Sequence, residues 1–201
     1  AKVEEILVAD STARGIRLAG GETAHSDLVV SAADGHSTIF GMLKGAYADH
    51  KIRRIYESRR LFPAMLQISL GVKRRFPDEC HTIVLPIDPP LRMGSDRDVA
   101  CMKVRIGNFD PTLSPEGTTS IVIVLRTTDY RHWVDLRNSD RDAYRKEKQR
   151  VMDAVIETLE RRFGPIRKCV AITDVATPAT YIRYTDVWQG SYQGWMPTPK
   201  V

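Results

Sequence analysis

The sequence predicts an α+β fold in which an antiparallel or mixed β-sheet carries a long helix on one face, with an N-terminal β-meander belonging to a separate, incomplete lobe. Three observations carry this expectation. Between Ala64 and Leu125, apolar and polar residues alternate in successive short runs; from Ser139 to Phe163 apolar residues recur at helical spacing; and before Ser31 the chain breaks into β-prone runs separated by turn residues. The 201 residues are 42% hydrophobic. A globular chain of this size buries ~70% of its unfolded surface, enough for one good-sized core or two small ones.

The elements follow in order. Val3 to Val8 is β-prone, Gly15-Ile16-Arg17-Leu18 follows an Asp-Ser-Thr turn, and Gly20-Gly21 turns the chain into Asp27-Leu28-Val29-Val30-Ser31, expected to be a buried strand. Asp34 is placed to cap a short helix with Ile39, Phe40, Met42 and Leu43 on its apolar face, stopping at Gly45. A second helix is expected over His50 to Ser58, ended by Phe62-Pro63. Leu66, Ile68, Leu70 and Val72 then point one way while Gln67, Ser69 and Gly71 point the other. Ile83, Leu85 and Ile87 repeat that pattern before Asp88-Pro89-Pro90, and Met102, Val104 and Ile106 alternate with Lys103, Arg105 and Gly107. Ile121 to Leu125, apolar throughout, reads as a strand covered on both faces.

The best-defined element is the helix from about Ser139 to Phe163. Ser139 with Asp142 forms a capping-box variant, Tyr144, Met152, Val155, Ile156, Leu159 and Phe163 lie along one side, and Gly164-Pro165 closes it. Arg167 to Val175 supplies another strand. An aromatic tail containing Gly and Pro runs from Tyr181 to Val201. The boundary between the first lobe and the rest is expected near Ala46 to Ile52.

Composition excludes several function classes. Cys80, Cys101 and Cys169 are too widely spaced for a zinc knuckle or a disulfide framework. The net charge of +5 and pI of 9.2 come from basic residues interleaved with acids, so no nucleic-acid partner is expected. No apolar run approaches the ~20 residues of a spanning helix, and Ala-Lys-Val-Glu-Glu is not built like a signal peptide. The chain is expected to be soluble and cytoplasmic.

A search for self-contained chemistry finds none. Gly20-Gly21 lacks the GxGxxG spacing of a dinucleotide cradle and reads as a hairpin turn. The five histidines show no pair spaced to hold a metal from one helical face, and Cys80-His81, as strand neighbours, would face opposite sides. Ser31, Asp34, His36 and Ser37 are neighbours in sequence, which is not triad geometry. The most unusual stretch is the tail, where Tyr181, Tyr184, Trp188, Tyr192 and Trp195 are interleaved with Gly190 and Gly194. Glycines beside aromatics permit close approach to a flat ligand.

Several phrases resemble one family. Gly15-Ile16-Arg17-Leu18-Ala19-Gly20-Gly21-Glu22, followed by Ser26-Asp27-Leu28-Val29-Val30-Ser31-Ala32-Ala33-Asp34, resembles the "GV-x-L-x-DG … AD-x-VVSAAD" segment of phytoene desaturase-like and retinol saturase-like flavoproteins of the flavin amine oxidase superfamily. Asn108-Phe109-Asp110-Pro111-Thr112-Leu113, Asp174-Val175-Ala176-Thr177-Pro178, and Arg183-Tyr184-Thr185 leading to Gly190-Ser191-Tyr192-Gln193-Gly194-Trp195 agree in the same order.

The resemblance implies an internal to C-terminal portion of an FAD-dependent oxidoreductase, with the family's GxGxxG lying upstream. Residues 1–48 would be a remnant of the FAD-binding domain, and residues 49–201 a substrate-domain-like region. The implied chemistry is desaturation or saturation of a carotenoid, retinoid or related apolar polyene by hydride transfer to or from flavin, which does the hard step. No catalytic side chain is then required of this chain, and FAD is not expected to bind it tightly alone. The implied cofactor neighbours are Ser31, Ala32, Ala33, Gly190 and Gly194, and the implied substrate contacts are Trp188, Tyr192 and Trp195. A polyene substrate also brings in peripheral contact with a membrane. The competing reading is a stand-alone apolar-ligand-binding domain without redox activity.

Overall fold

The computed structural model describes residues 1–95 and 98–197. The chain forms two compact units, one made of Ala1–Phe62 with Ile182–Val201, the other of Pro63–Tyr181. Sequence patterning places a single boundary near residue 48, whereas the compact units meet after Phe62 and again after Tyr181. Helix α1 (His50–Ser58) and the aromatic tail therefore share a unit with the meander.

The first unit opens with an antiparallel three-stranded sheet in the order β1 (Val3–Ala9), β2 (Thr12–Leu18), β3 (Thr23–His25). Asp10 and Ser11, both left-handed at φ 49° and 58°, make the two-residue turn between β1 and β2, the geometry whose twist matches a hairpin. Gly15 is required at its position. Its φ is +151°, and a Cβ there would collide with the Ala24 carbonyl on β3.

The buried strand expected over Asp27 to Ser31 does not form. Leu28 and Val30 are 75% and 79% exposed, and no ladder includes this segment. Locally the cause is Ser26, whose hydroxyl donates to the Leu28 carbonyl (2.9 Å) and accepts from the Leu28 N–H (3.3 Å), a side-chain turn that competes with pairing. Asp34 caps as expected, its carboxylate accepting from Ser37 N at 3.0 Å. The segment it opens is a π-helical turn over Ser37–Met42, closed where Gly45 takes φ +68°. Asp49 caps α1 by accepting from Ile52 N at 2.8 Å.

The second unit is a five-stranded antiparallel sheet in the order β5-β6-β7-β4-β8: β4 Ala64–Val72, β5 Thr82–Leu91, β6 Val99–Ile106, β7 Thr119–Thr127, β8 Val170–Ala176. The alternation of β4 is complete, with Leu66, Ile68, Leu70 and Val72 at most 1% exposed. Met102, Val104 and Ile106, and Ile121, Ile123 and Leu125, continue the same face. The expectation that Ile121 to Leu125 is covered on both sides is corrected: Val122 and Val124 are only half-buried on the other face.

The predicted long helix is two helices, α2 (Tyr130–Ser139) and α3 (Arg141–Phe163). Asp140, extended at φ −145°, breaks them and caps α3 with its carboxylate on Asp142 N (3.0 Å) and Ala143 N (2.9 Å). Ser139 is therefore not the cap; its hydroxyl donates back to Asp135 O at 2.7 Å and finishes α2. Val151, Met152, Val155, Ile156, Leu159 and Phe163 pack on the sheet, and Gly164 (φ +75°) closes α3 through its N–H to Glu160 O. Residues Arg167–Cys169 form a 3-10 turn, so β8 starts three residues later than expected. Helix α4 (Pro178–Thr185) follows.

Candidate functional site

In the first unit, the aromatic residues of the tail meet those of the Asp34–Phe62 segment. His36 stacks on Trp188 with ring centroids 3.5 Å apart and 12° between planes. Phe40 (4.8 Å) and Tyr56 (5.1 Å) flank the same imidazole, and Tyr56 also contacts Trp195 at 4.8 Å. Tyr192 packs edge-on against Phe62 at 5.6 Å. Backbone bonds fix the tail: Phe62 N donates to Gly194 O, Met196 N to Arg60 O, and Leu61 forms a bridge with Trp195. The Ser37 hydroxyl ties to Asp186 O at 2.7 Å.

Burial sets the protonation states here. It lowers the pKa of His36, with Asp34 opposing, and raises that of Tyr56, to which Asp34 adds. At neutral pH the cluster presents a neutral imidazole and a neutral phenol, a surface suited to a flat, uncharged ligand.

The predicted site residues separate into two kinds. Trp188, Gly190, Tyr192, Gly194 and Trp195 lie in or beside this aromatic nest. Gly190 is buried at φ +70°, while Tyr192 and Trp195 remain 38% exposed. Ser31, Ala32 and Ala33 are exposed small residues just before the nest, and the Ser31 hydroxyl bonds that of Thr38 at 2.8 Å. The sequence reading missed His36, Phe40 and Tyr56, although the spacing of His36 and Phe40, one helical turn apart, was a visible signal.

In the second unit, the sheet face turned away from α3 carries a second candidate surface. Register places Val84, Lys103, Val124, Gln67 and Ala176 in one row across all five strands, and Thr82, Arg105, Val122, Ser69 and Asp174 in the next. Met65, Val122 and Val124 are half-buried, and Val84 (65%) and Ile172 (71%) are exposed. Gln67 donates to Ser69 Oγ at 3.3 Å and accepts from the Tyr181 hydroxyl at 3.5 Å, and burial, with Asp174, raises the Tyr181 pKa. Among the described residues no group of three or more His, Cys, Asp or Glu is placed to hold a metal, and no helix is long and apolar enough to cross a membrane.

Comparison with known proteins now bears on these surfaces. No family model matches the chain. The chloroplastic prolycopene isomerase of Daucus carota is 29% identical over 214 residues, covering 100% of this chain and 32% of that protein. The neurosporene-forming phytoene desaturase of Cereibacter sphaeroides is 29% identical over 204 residues, 95% of this chain and 38% of that protein. The chain is a relative of these phytoene desaturase-like proteins. It spans about a third of the length of the curated relatives it matches. The crystal structure of an oxidoreductase from Methanosarcina mazei superposes with a TM-score of 0.53 at 19% identity, over 89% of this chain and 39% of that one, a likeness of fold.

Two of the phrases singled out in the sequence hold the fold. The Asn108 amide donates to the carbonyls of Phe76 (2.7 Å) and Glu79 (2.6 Å), and Asp110 caps the turn at Pro111–Leu113 by accepting from Thr112 N and Oγ1. Thr177, fully buried, bonds the Tyr144 hydroxyl at 2.7 Å where β8 passes into α4. The Gly190–Trp195 phrase supplies Tyr192 and Trp195 to the aromatic nest.

Proposed function

We propose that the chain is part of an FAD-dependent oxidoreductase that desaturates or saturates a carotenoid, retinoid or related apolar polyene. The observation that carries this reading is the relationship, along essentially the whole chain, to two proteins named for carotenoid chemistry. Two surfaces support it: the aromatic nest around His36 and Trp188, and the half-apolar sheet face bearing Met65, Val122 and Val124. Both suit a long, flat, apolar molecule.

Ser31, Ala32, Ala33 and the tail glycines would border the flavin. Ser31, Ala32 and Ala33 are small and exposed, so they allow a ring edge to approach. A Cβ added at Gly194 or at Gly20 would meet nothing within 4 Å, so open space adjoins both glycines. When bound, flavin supplies the hydride acceptor or donor. The role proposed for this chain is to hold the polyene flat against the apolar sheet face of Pro63–Tyr181, with Val122, Val124 and Met65 as its track, and to keep water from it.

Two outcomes are expected. Titrated with FAD, the 201-residue chain binds weakly or not at all, and a tight, yellow, stoichiometric complex overturns the assignment of this chain as a part. In the source reading frame, a strand followed by GxGxxG and a helix lies upstream; the longer product purifies with flavin, and its flavin absorbance bleaches anaerobically on adding a reduced polyene. A frame without that motif leaves the apolar-ligand-binding domain as the reading, which the completeness of the sheet face within Pro63–Tyr181 favours.

A further inference from the structure

The open sheet face is not uniformly apolar. Lys103 and Arg105 project from β6, and Arg126 projects from β7 two residues beyond Val124, so all three leave the same face. All three are exposed. None of their charged heads is paired with an acid or hydrogen-bonded to another group among the described residues. Lys103 and Arg105 are ~7 Å apart along one strand, and Arg126 is a diagonal neighbour of Lys103 at ~7–8 Å.

The acid in these two rows is Asp174 on β8, three strands from Arg105. That separation is ~14 Å, beyond the ~8 Å over which exposed charges act at physiological salt. Elsewhere in this unit several arginines are paired, Arg145 with Asp142, Arg150 with Glu147, Arg161 with Glu157, Arg162 with Glu79 and Arg167 with Asp153. An ordinary solvated face mixes both signs. Here three cations stand together among Val84, Val122, Val124 and Met65, with no acid between them.

We infer that this face binds an acidic polyene or acidic lipid, a long apolar body ending in a carboxylate, and that Lys103, flanked by Arg105 along β6 and by Arg126 across β7, receives the carboxylate. The inference rests on the proposed polyene reading and narrows it from a neutral hydrocarbon to an amphiphile. The valines and Met65 give the body a flat apolar track. Lysine presents a compact charge, and the planar fork of a flanking arginine matches a carboxylate's two oxygens.

The test is fluorescence titration of the 201-residue chain with monomeric cis-parinaric acid and with its methyl ester, which removes the charge and keeps the polyene. The acid is expected to bind saturably and the ester about tenfold more weakly or worse, the loss expected for one charge-assisted contact. The double variant Lys103→Glu/Arg105→Glu, whose changes are on exposed positions, should bind acid and ester alike while its circular dichroism and thermal unfolding match the parent. Equal binding of acid and ester to the parent removes the carboxylate and leaves the polyene reading standing. A preference for acid that survives in the double variant places the charge recognition elsewhere and overturns the assignment. Binding of neither probe, or binding only to phosphatidylglycerol vesicles and not to the monomeric acid, overturns it as well, the latter in favour of a membrane surface. Failure of the flavin reading is separate, because it is read from the longer product's absorbance.

Discussion

At Gly15 one missing carbon decides how close two strands approach. Alanine there meets the Ala24 carbonyl and a backbone angle that side chains rarely adopt. Gly15→Ala is expected to destabilise the first unit by on the order of 1–3 kcal/mol, measured as a loss of amide protection in the first three strands; unchanged protection would mean β3 is not held there. His36 carries a pH signature of definite sign. Burial lowers its folded-state pKa below the ordinary 6.5, so the unfolded chain binds the proton more readily. The stability it contributes is present above 6.5 and is lost as pH falls through that value toward the folded pKa. An NMR titration should give a His36 midpoint below 6.5, and the acid-side fall in unfolding temperature should be shallower in His36→Phe. A midpoint above the ordinary value would contradict the stacked, desolvated geometry.

At the scale of elements, what was legible depended on whether the signal was local. The period-two runs of β4 and β6 and the Asp34 and Gly164 termini are set by residues adjacent in sequence, and they form where expected. The break between α2 and α3 was hidden because Ser139 and Asp140 are both good capping residues, and the choice between them turns on the backbone angle of Asp140. Asp140→Ala should cost about 1 kcal/mol, as the loss of an N-cap does, whereas Ser139→Ala should cost less; the reverse order in denaturant unfolding would restore the longer helix. The Leu28-Val29-Val30 run reads as a buried strand because hydrophobicity alone says nothing of what lies across from it. Part of the candidate site was equally invisible. Tail aromatics were conspicuous by type, but their partners His36, Phe40 and Tyr56 come from the opposite end of the chain. The placement of Arg126 beside Lys103 is visible only once the register of β6 against β7 is known.

At the scale of the whole molecule, the large core cluster runs from Leu66 to Ala179, wholly inside Pro63–Tyr181. That segment expressed alone is expected to unfold in one cooperative step, and Leu159→Ala, removing a side chain with no exposed surface, should cost it about 2–5 kcal/mol. A broad, non-cooperative transition would show that the sheet needs the flanking residues. The other unit is assembled from both flanks of this one, and that gives the chain a timetable during synthesis. A ribosome adds ~5–20 residues each second, so the sheet has all five strands before Trp188 and Trp195 leave the exit tunnel. Residues 1–62 must wait through that interval with His36 lacking its stacking partner Trp188 and Tyr56 lacking Trp195. Within these 201 residues, the aromatic nest closes only after the five-stranded sheet has been made.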